Sequence, residues 1–488
     1  MQFTTFDPNS LTAILPEILL LGLIVLVLGL DLALPESRRR NLGLLAGLGQ
    51  LAILAAMLAF SRPSGEGISL WGGMFRHDLF TLIFRGMFLV AGAATCLISL
   101  EVRGINRQGE YYAILLAAVL GMNLMAASND LIMLYVALET TSIALYLLAG
   151  YLRDDVRSSE AGLKYFLFGS VSSAVMLYGL SLLYGMTGKT GLREVAAALT
   201  NVQDTLPIIG AAVMIAVGFG FKVAAAPFHF WTPDVYEGAP TPVTAFISVA
   251  SKAAGFSVLL RFFTAVFPVI QPQWAPLMAA IAAVTMTIGN VLAIPQRNIK
   301  RMLAYSSIAQ AGYALIGFVA GGEFGLAATT YYLLMYVLTN IAAFTVVILF
   351  ANLTGSEEIY DYAGLSRRSP YLAFAMLLAL LSLGGIPPLA GFFAKVYVFA
   401  AAINTGLVWL AVVGVVNAII GLYYYLTVAK VMYVHRSEEE HIPVPVPRAY
   451  AVVLALLVVG IIVLAVGANP WLNWATQAAR PFFVAGGG

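Results

Sequence analysis

Charge is what this chain has least of: 10% of its 488 residues are Asp, Glu, Lys or Arg. A water-soluble domain needs roughly a quarter of its residues charged to solvate its surface, so a sizeable soluble domain is excluded. Cysteine is nearly absent. The single Cys96, inside an apolar run, excludes an internal disulfide framework and any multi-thiolate metal site. Histidine is scarce and dispersed, at His77, His229, His435 and His441, which argues against haem ligation. The sequence has no phosphate-cradling loop, dinucleotide fingerprint or histidine–carboxylate metal spacing. A net charge of +2 offers nothing to nucleic acid.

What the chain does have is apolar length. Hydrophobic residues make up 61% of it, and the mean hydropathy is +0.90. The apolar residues come in runs of about twenty, the length that crosses a hydrocarbon core of about 30 Å. The expected spans lie at about 11–31, 41–60, 78–100, 111–128, 130–151, 161–186, 207–230, 240–264, 274–295, 300–320, 324–352, 370–400, 405–434 and 449–468. The fold class is therefore an all-α polytopic membrane protein of about fourteen helices, a single integral membrane domain over 1–488. The first run has no basic residue ahead of it and no small-residue cleavage site. It ends at Asp31, ahead of Arg38, Arg39 and Arg40, and reads as a retained span rather than a removed signal peptide.

Basic residues set the orientation. Loops after odd-numbered spans hold Arg38 to Arg40, Arg103, Arg107, Arg153, Arg157, Arg297, Arg367, Arg368, Arg436 and Arg448, with Lys300 and Arg301 at a helix mouth. Loops after even-numbered spans hold Arg62, Arg76, Lys189 and Arg193, with Arg480 in the tail. The positive-inside rule then puts both termini on the non-cytoplasmic side of the cell (plasma or inner) membrane. The acidic SEEEH, 437–441, reads as a solvated cytoplasmic loop.

Two segments break the helical pattern. In GFGFKVAAAPFHFWTPDVYEGAPTP, Pro227 falls inside span 7; in LSLGGIPPLAGFFAK, Gly384, Gly385, Pro387, Pro388 and Gly391 interrupt span 12. Proline removes a backbone donor, and irregular backbone at membrane depth is tolerated only where it lines protein or water. Interrupted helices at corresponding places in two halves point to inverted repeats and a transport path. Spans 6 and 11 add a faint echo, sharing Tyr165/Tyr332, Leu167/Leu334, Thr187/Thr354 and Gly188/Gly355 when aligned without gaps.

Ionisable groups inside the bilayer cost several kcal/mol each, so each asks for a reason. Glu139 lies about nine residues from its loop, roughly 13 Å along a helix and near the midplane. Lys222 and Lys252 are similarly central, and Lys395 follows the break in span 12. His229 lies seven residues after Lys222, on nearly the same face. Lys164 stands near the start of span 6. Snorkelling to the headgroups accounts for Arg261, Lys300 and Lys430, which are near helix ends, and a structural role for Arg85. It does not reach Glu139, Lys222, Lys252 or Lys395. Desolvation disfavours a buried ammonium and a nearby carboxylate favours it. Moving that carboxylate would therefore make the lysine hold or release a proton, and His229 could relay between lysines through water.

KVAAAPFHFWTPDVYEGAPTPVTAFISVASKAAGF (222–256), IPQRNIKRMLAYSSIAQAGY (294–313) and GGIPPLAGFFAKVYVF (384–399) closely resemble signatures of the antiporter-like membrane subunits of proton-pumping NADH:quinone oxidoreductase, respiratory complex I. The resemblance covers essentially the whole chain. It implies two inverted five-helix repeats with broken helices 7 and 12. The divisions would be 1–110 for the N-terminal helices, 111–265 and 274–434 for the repeats, and 449–488 for the last helix and tail. It implies Glu139 and Lys222 as a charge-switching pair, Lys252 with His229 as central relay, Lys395 as exit-side lysine and Lys164 as a further partner near spans 5 to 7. NADH, the flavin FMN, iron–sulfur clusters and quinone would sit on other subunits, with none bound by this chain. The partners would be neighbouring antiporter-like and small membrane subunits and the lipid bilayer. The end about twenty residues past the last span, Lys395 where a sibling usually has glutamate, and above all the span 7 to 8 signature favour the N-type branch. Photosynthetic relatives share that signature, so donor and quinone stay open. The other readings are a cation/proton antiporter subunit without redox chemistry and a scaffold whose charges are structural.

Overall fold

The computed structural model describes residues 8–483, apart from 66, 103, 439 and 440. Arg103 of the basic loops, Glu439 and Glu440 of the acidic loop, and the seven N-terminal residues therefore lie outside the described residues.

Each apolar run folds as a helix because a backbone in hydrocarbon must satisfy its own N–H and C=O groups. Spans 1 to 6 are Leu15–Ala33, Arg40–Phe60, Leu79–Ile98, Gly109–Ala127, Leu131–Ala149 and Val156–Thr187. Span 7 is split into Leu206–Val223 and Trp231–Gly238, and span 8 runs continuously from Thr241 to Val266. Spans 9 to 11 are Gln271–Ala293, Ile299–Ala320 and Gly322–Thr354. Span 12 is split into Pro370–Gly384 and Ala390–Asn404, and Val408–Tyr433 and Arg448–Val466 complete the set. Among the described residues thirteen helices are long and apolar enough to cross a membrane, and the two halves of span 12 supply the remaining crossing. Spans 8, 10 and 11 are almost wholly buried, whereas spans 1, 9 and 14 turn most of their surface outward. The core is thus built around span 8, which carries Lys252, and spans 10 and 11.

The turns explain where helices start and stop. Asp130 caps span 5 by accepting from the N–H groups of Ile132 and Met133, and Asn298 caps span 10 by accepting from Lys300 and Arg301. Spans 6 and 11 both end on a glycine in the left-handed region, Gly188 and Gly355. Backbone bonds then tie each N-cap to the loop after the next helix. Leu131 donates to Thr190 and Leu192 to Asn129, while Ile299 donates to Glu357 and Ile359 to Arg297. Span 9 is offset from span 4 by five, an odd number, so the two repeats cross the membrane in opposite directions, as expected for inverted repeats.

The break in span 7 comes earlier than the expected 207–230. The helix stops at Val223 because Ala224 adopts φ +61, and the Ala226 N–H is diverted to the Thr285 hydroxyl at 2.9 Å. Short elements lie outside the expected spans, two of them in connections and one in the tail. A hairpin of β1, Ile68–Leu70, and β2, Phe75–His77, sits within 61–77, and the helix Leu192–Leu199 within 187–206. The helix Ala468–Ala479 follows the last span. Three-residue strands and one- to three-turn helices give too few residues for periodicity to register.

Candidate proton pathway

Lys222 stands in the last turn of the first half of span 7, opposite span 5. Its Nζ donates to Ser142 Oγ at 3.0 Å, and both groups are buried. Glu139 is one turn from Ser142 on the same helix, within electrostatic reach of Lys222 but forming no ion pair with it. The buried Oε1 of Glu139 has no hydrogen-bond partner. Ser142, Tyr146, Ser173 and Lys222 line a cavity of about 10 Å³, room for about one water molecule. The expected pair is thus present but open.

Lys252 lies at the centre. A π-helical turn, Ile247–Ser251, immediately precedes it; such turns re-aim side chains and recur at functional sites. Its Nζ donates to the carbonyl and the hydroxyl of Ser307 in span 10, at 2.6 and 2.7 Å. His229 is buried in the break of span 7, with its ring stacked on Phe230 and Nδ1 without a partner. It is within electrostatic reach of Lys252.

Lys395 follows the break in span 12. Its Nζ donates to the carbonyls of Leu383 and Gly384 at 2.9 and 2.8 Å and lies 4.8 Å over the Tyr313 ring. Those carbonyls are the C-terminal end of a half-helix, whose dipole favours a cation.

Side chains that the sequence reading did not single out join these lysines. Ser306, beside Ser307, bonds Tyr425 Oη. Gln310 donates to Tyr425 Oη at 3.1 Å and to the Leu383 carbonyl at 3.0 Å. Tyr332 donates to Gln310 Oε1. Ser306, Tyr425 and Gln310 therefore form a polar chain from the residue beside Ser307 to the carbonyl that holds Lys395. Ser306, Gln310 and Tyr313 recur at helical spacing within span 10, a pattern that ordinary buried residues share.

Lys164 meets span 7 at its second half: its Nζ is 2.7 Å from both Glu160 and Asp234, in a half-exposed cluster where Arg301 also pairs with Asp234 and Glu237. Two expectations need correction. Arg261 does not snorkel: it is buried, holds both oxygens of Asp78 at 2.9 Å, and is flanked by the rings of Phe80 and Phe482. Lys300 is likewise buried, 3.1 Å from Glu357 and bonded to the Ala239 carbonyl. Near a helix end an aliphatic stem can turn toward water or toward a buried carboxylate, and here the carboxylates lie inward. Lys430 is exposed, in keeping with snorkelling. Arg85 is structural as expected, paired with Glu17 at 2.7 Å and bonded to the Ala13 carbonyl.

Comparison with known proteins agrees with this geometry. Residues 128–421 match the family described as NADH:quinone oxidoreductase/Mrp antiporter, TM. NADH-quinone oxidoreductase subunit N of Moorella thermoacetica is 45% identical over 471 residues, 96% of this chain and 98% of that protein. NAD(P)H-quinone oxidoreductase subunit 2 of Trichormus variabilis is 46% identical over 433 residues, 87% of this chain and 82% of that one. A chain of respiratory complex I from Thermus thermophilus superposes with a TM-score of 0.79 at 33% identity, covering 94% of this chain and 98% of that one. A chain of the Mrp complex from a Dietzia species has the same fold, with a TM-score of 0.86 at 21% identity over 98% of both. The chain belongs to the NADH:quinone oxidoreductase/Mrp antiporter transmembrane family, and within it to the subunit N group of complex I.

Proposed function

We propose that this chain is the proton-translocating, antiporter-like subunit of an NADH:quinone oxidoreductase. It would couple electron transfer in other subunits to proton movement through its own buried lysines. NADH, FMN, iron–sulfur clusters and quinone would all be held elsewhere in the complex. Moving one charge against about 100 mV takes about 2.3 kcal/mol, and that energy would arrive through contacts with neighbouring antiporter-like and small membrane subunits. The host membrane would be the plasma or inner membrane, with both termini outside the cytoplasm. The functional divisions would be 1–110, the repeats 111–265 and 274–434, and 449–488.

One observation carries the pathway. Lys222, Lys252 and Lys395 are all buried, and the hydrogen bonds they make go to neutral oxygens: a hydroxyl, a hydroxyl with a carbonyl, and two carbonyls. The structural cations Arg85, Arg261 and Lys300 are instead held by Glu17, Asp78 and Glu357. A carboxylate partner fixes a cation in its charged form, whereas a neutral acceptor leaves the proton exchangeable. Glu139 is the one carboxylate we assign to this series, and its unpartnered oxygen lets its distance from Lys222 vary. We assign Glu139 and Lys222 to charge switching, His229 and Lys252 to the relay, and Lys395 to exit. Lys164 stands at the rim, in the charged cluster with Asp234.

The test is NADH-driven proton uptake into inside-out vesicles carrying Lys222→Ala, with assembly checked by native-gel immunoblotting. Uptake is expected to be lost while the complex stays intact. Wild-type uptake by an assembled Lys222→Ala complex would remove this lysine from the path.

A further inference from the structure

A cavity of about 530 Å³ is lined by none of the lysines of the series. It is bounded by the hairpin end, the loops after spans 6, 8 and 10, and the C-terminal 481–483. Its wall gathers three guanidiniums, Arg76, Arg193 and Arg261, against one carboxylate, Asp78. By the positive-inside rule this is the side with few basic residues, so their convergence is not the general bias of the chain. Arg261 and Asp78 hold each other bidentately, with Arg76 3.6 Å from the same carboxylate. Arg193 is exposed and directed to this cavity from the helix Leu192–Leu199.

A second cavity, about 270 Å³ and almost purely apolar, lies deeper along the same helices. Phe263, Trp274 and Phe318 line the charged cavity, while Leu259, Met278 and Leu315 line the apolar one. Each pair is three or four residues apart on its helix, so one face of each of spans 8, 9 and 10 serves both chambers. The three aromatic rings pack on one another, with centroids 5.1 to 5.7 Å apart, as a ledge between them. Val213 and Leu277 stand at the open side of the apolar groove, at 44% and 46% exposure.

We propose that the two chambers form one binding site for an anionic phospholipid. The phosphate sits against the arginine cluster and an acyl chain runs past the aromatic ledge into the groove. A cationic pocket set above an apolar groove fits a lipid; a free phosphate would leave the groove without a role.

The assembled complex, purified in neutral detergent and washed free of lipid, is titrated with radiolabelled phosphatidylglycerol. Saturable binding is expected, displaced by unlabelled phosphatidylglycerol but not by phosphatidylcholine or inorganic phosphate. Arg193→Gln is expected to weaken binding roughly fivefold, the effect of one cation near an anionic lipid surface. Leu277→Trp, which fills the groove and leaves every charge in place, is expected to weaken it as well. Displacement by phosphatidylcholine would overturn the proposal, and so would unchanged binding in both variants. Displacement by inorganic phosphate with Leu277→Trp unaffected would make it a free-phosphate site. A complex that binds no label would mean that a neighbouring protein segment fills the cavity.

Discussion

The broken helices of the two halves are built alike and wired differently. In span 7, Ala224 at φ +61 ends the first half-helix, its N–H returning to Gly220 and Phe221. In span 12, Gly385 at φ +84 does the same, returning to Leu381 and Ser382. The next N–H closes the outer bond in each, Ala225 to Gly220 and Ile386 to Leu381. The facing helices match too. Ser142 is twelve residues past the Asp130 cap and contacts Lys222, two residues before the turn. Gln310 is twelve past the Asn298 cap and contacts Leu383, two before its turn. Nine past each cap, the first half has Glu139 and the second has Ser307. The first half thus places a carboxylate near a lysine that precedes the break. The second removes the carboxylate, moves its lysine beyond the break and offers it half-helix carbonyls. One scaffold provides two ways to hold an ammonium, one beside a carboxylate and one on the carbonyl end of a half-helix.

The comparison breaks most sharply at Gly391. A Cβ there would lie 1.7 Å from the Ser382 carbonyl oxygen, so the two halves of span 12 could not stay packed. Span 7 has no such approach: the corresponding residue, six past the turn, is the exposed Phe230. Gly391→Ala is expected to abolish assembly on native gels, while Phe230→Ala assembles normally. Full assembly of Gly391→Ala would show that the close approach is not required.

The turn residues give a smaller and paired effect. Left-handed backbone costs a residue with a Cβ roughly 1–2 kcal/mol, and an added Cβ at Gly385 would lie 2.8 Å from Lys395 Cδ. Gly385→Ala should therefore lower the thermal midpoint and slow proton uptake by pushing Lys395 off its carbonyls. Ala224→Gly relieves the same strain in the first half and should raise the midpoint. Equal responses in both would mean that the turns are not equivalent.

The smallest effect separates the acceptors. Ser142→Ala removes the hydroxyl that accepts from Lys222, a hydrogen bond worth about 0.5–1.5 kcal/mol, and should reduce proton uptake several-fold. Ser307→Ala leaves the Ser307 carbonyl for Lys252 and should reduce it less. The reverse order would place the tighter control at the central lysine.

Much of this was legible beforehand. Runs of twenty apolar residues fix spans, prolines fix breaks, and Glu139, Lys222, Lys252 and Lys395 announce themselves because charge is costly in lipid. The neutral relay of Ser306, Gln310 and Tyr425 did not, since buried Ser, Gln and Tyr are ordinary residues until their partners are known. Nor was the partner of Lys164 legible, because a lysine near a helix end has many carboxylates within reach. Asp234, which holds it, is seventy residues away in the chain.

Sequence by itself determined the number of spans, their breaks and the list of buried charges, because each follows from transferring residues into hydrocarbon, and its signature segments carried the resemblance to the family. Tertiary structure alone decided which buried cations meet a carboxylate and which meet neutral oxygens. In the sequence Arg261 lies near the end of span 8 and Lys252 near its centre. One finds Asp78 from across the fold and the other finds the oxygens of Ser307, partners that only the folded chain brings within reach.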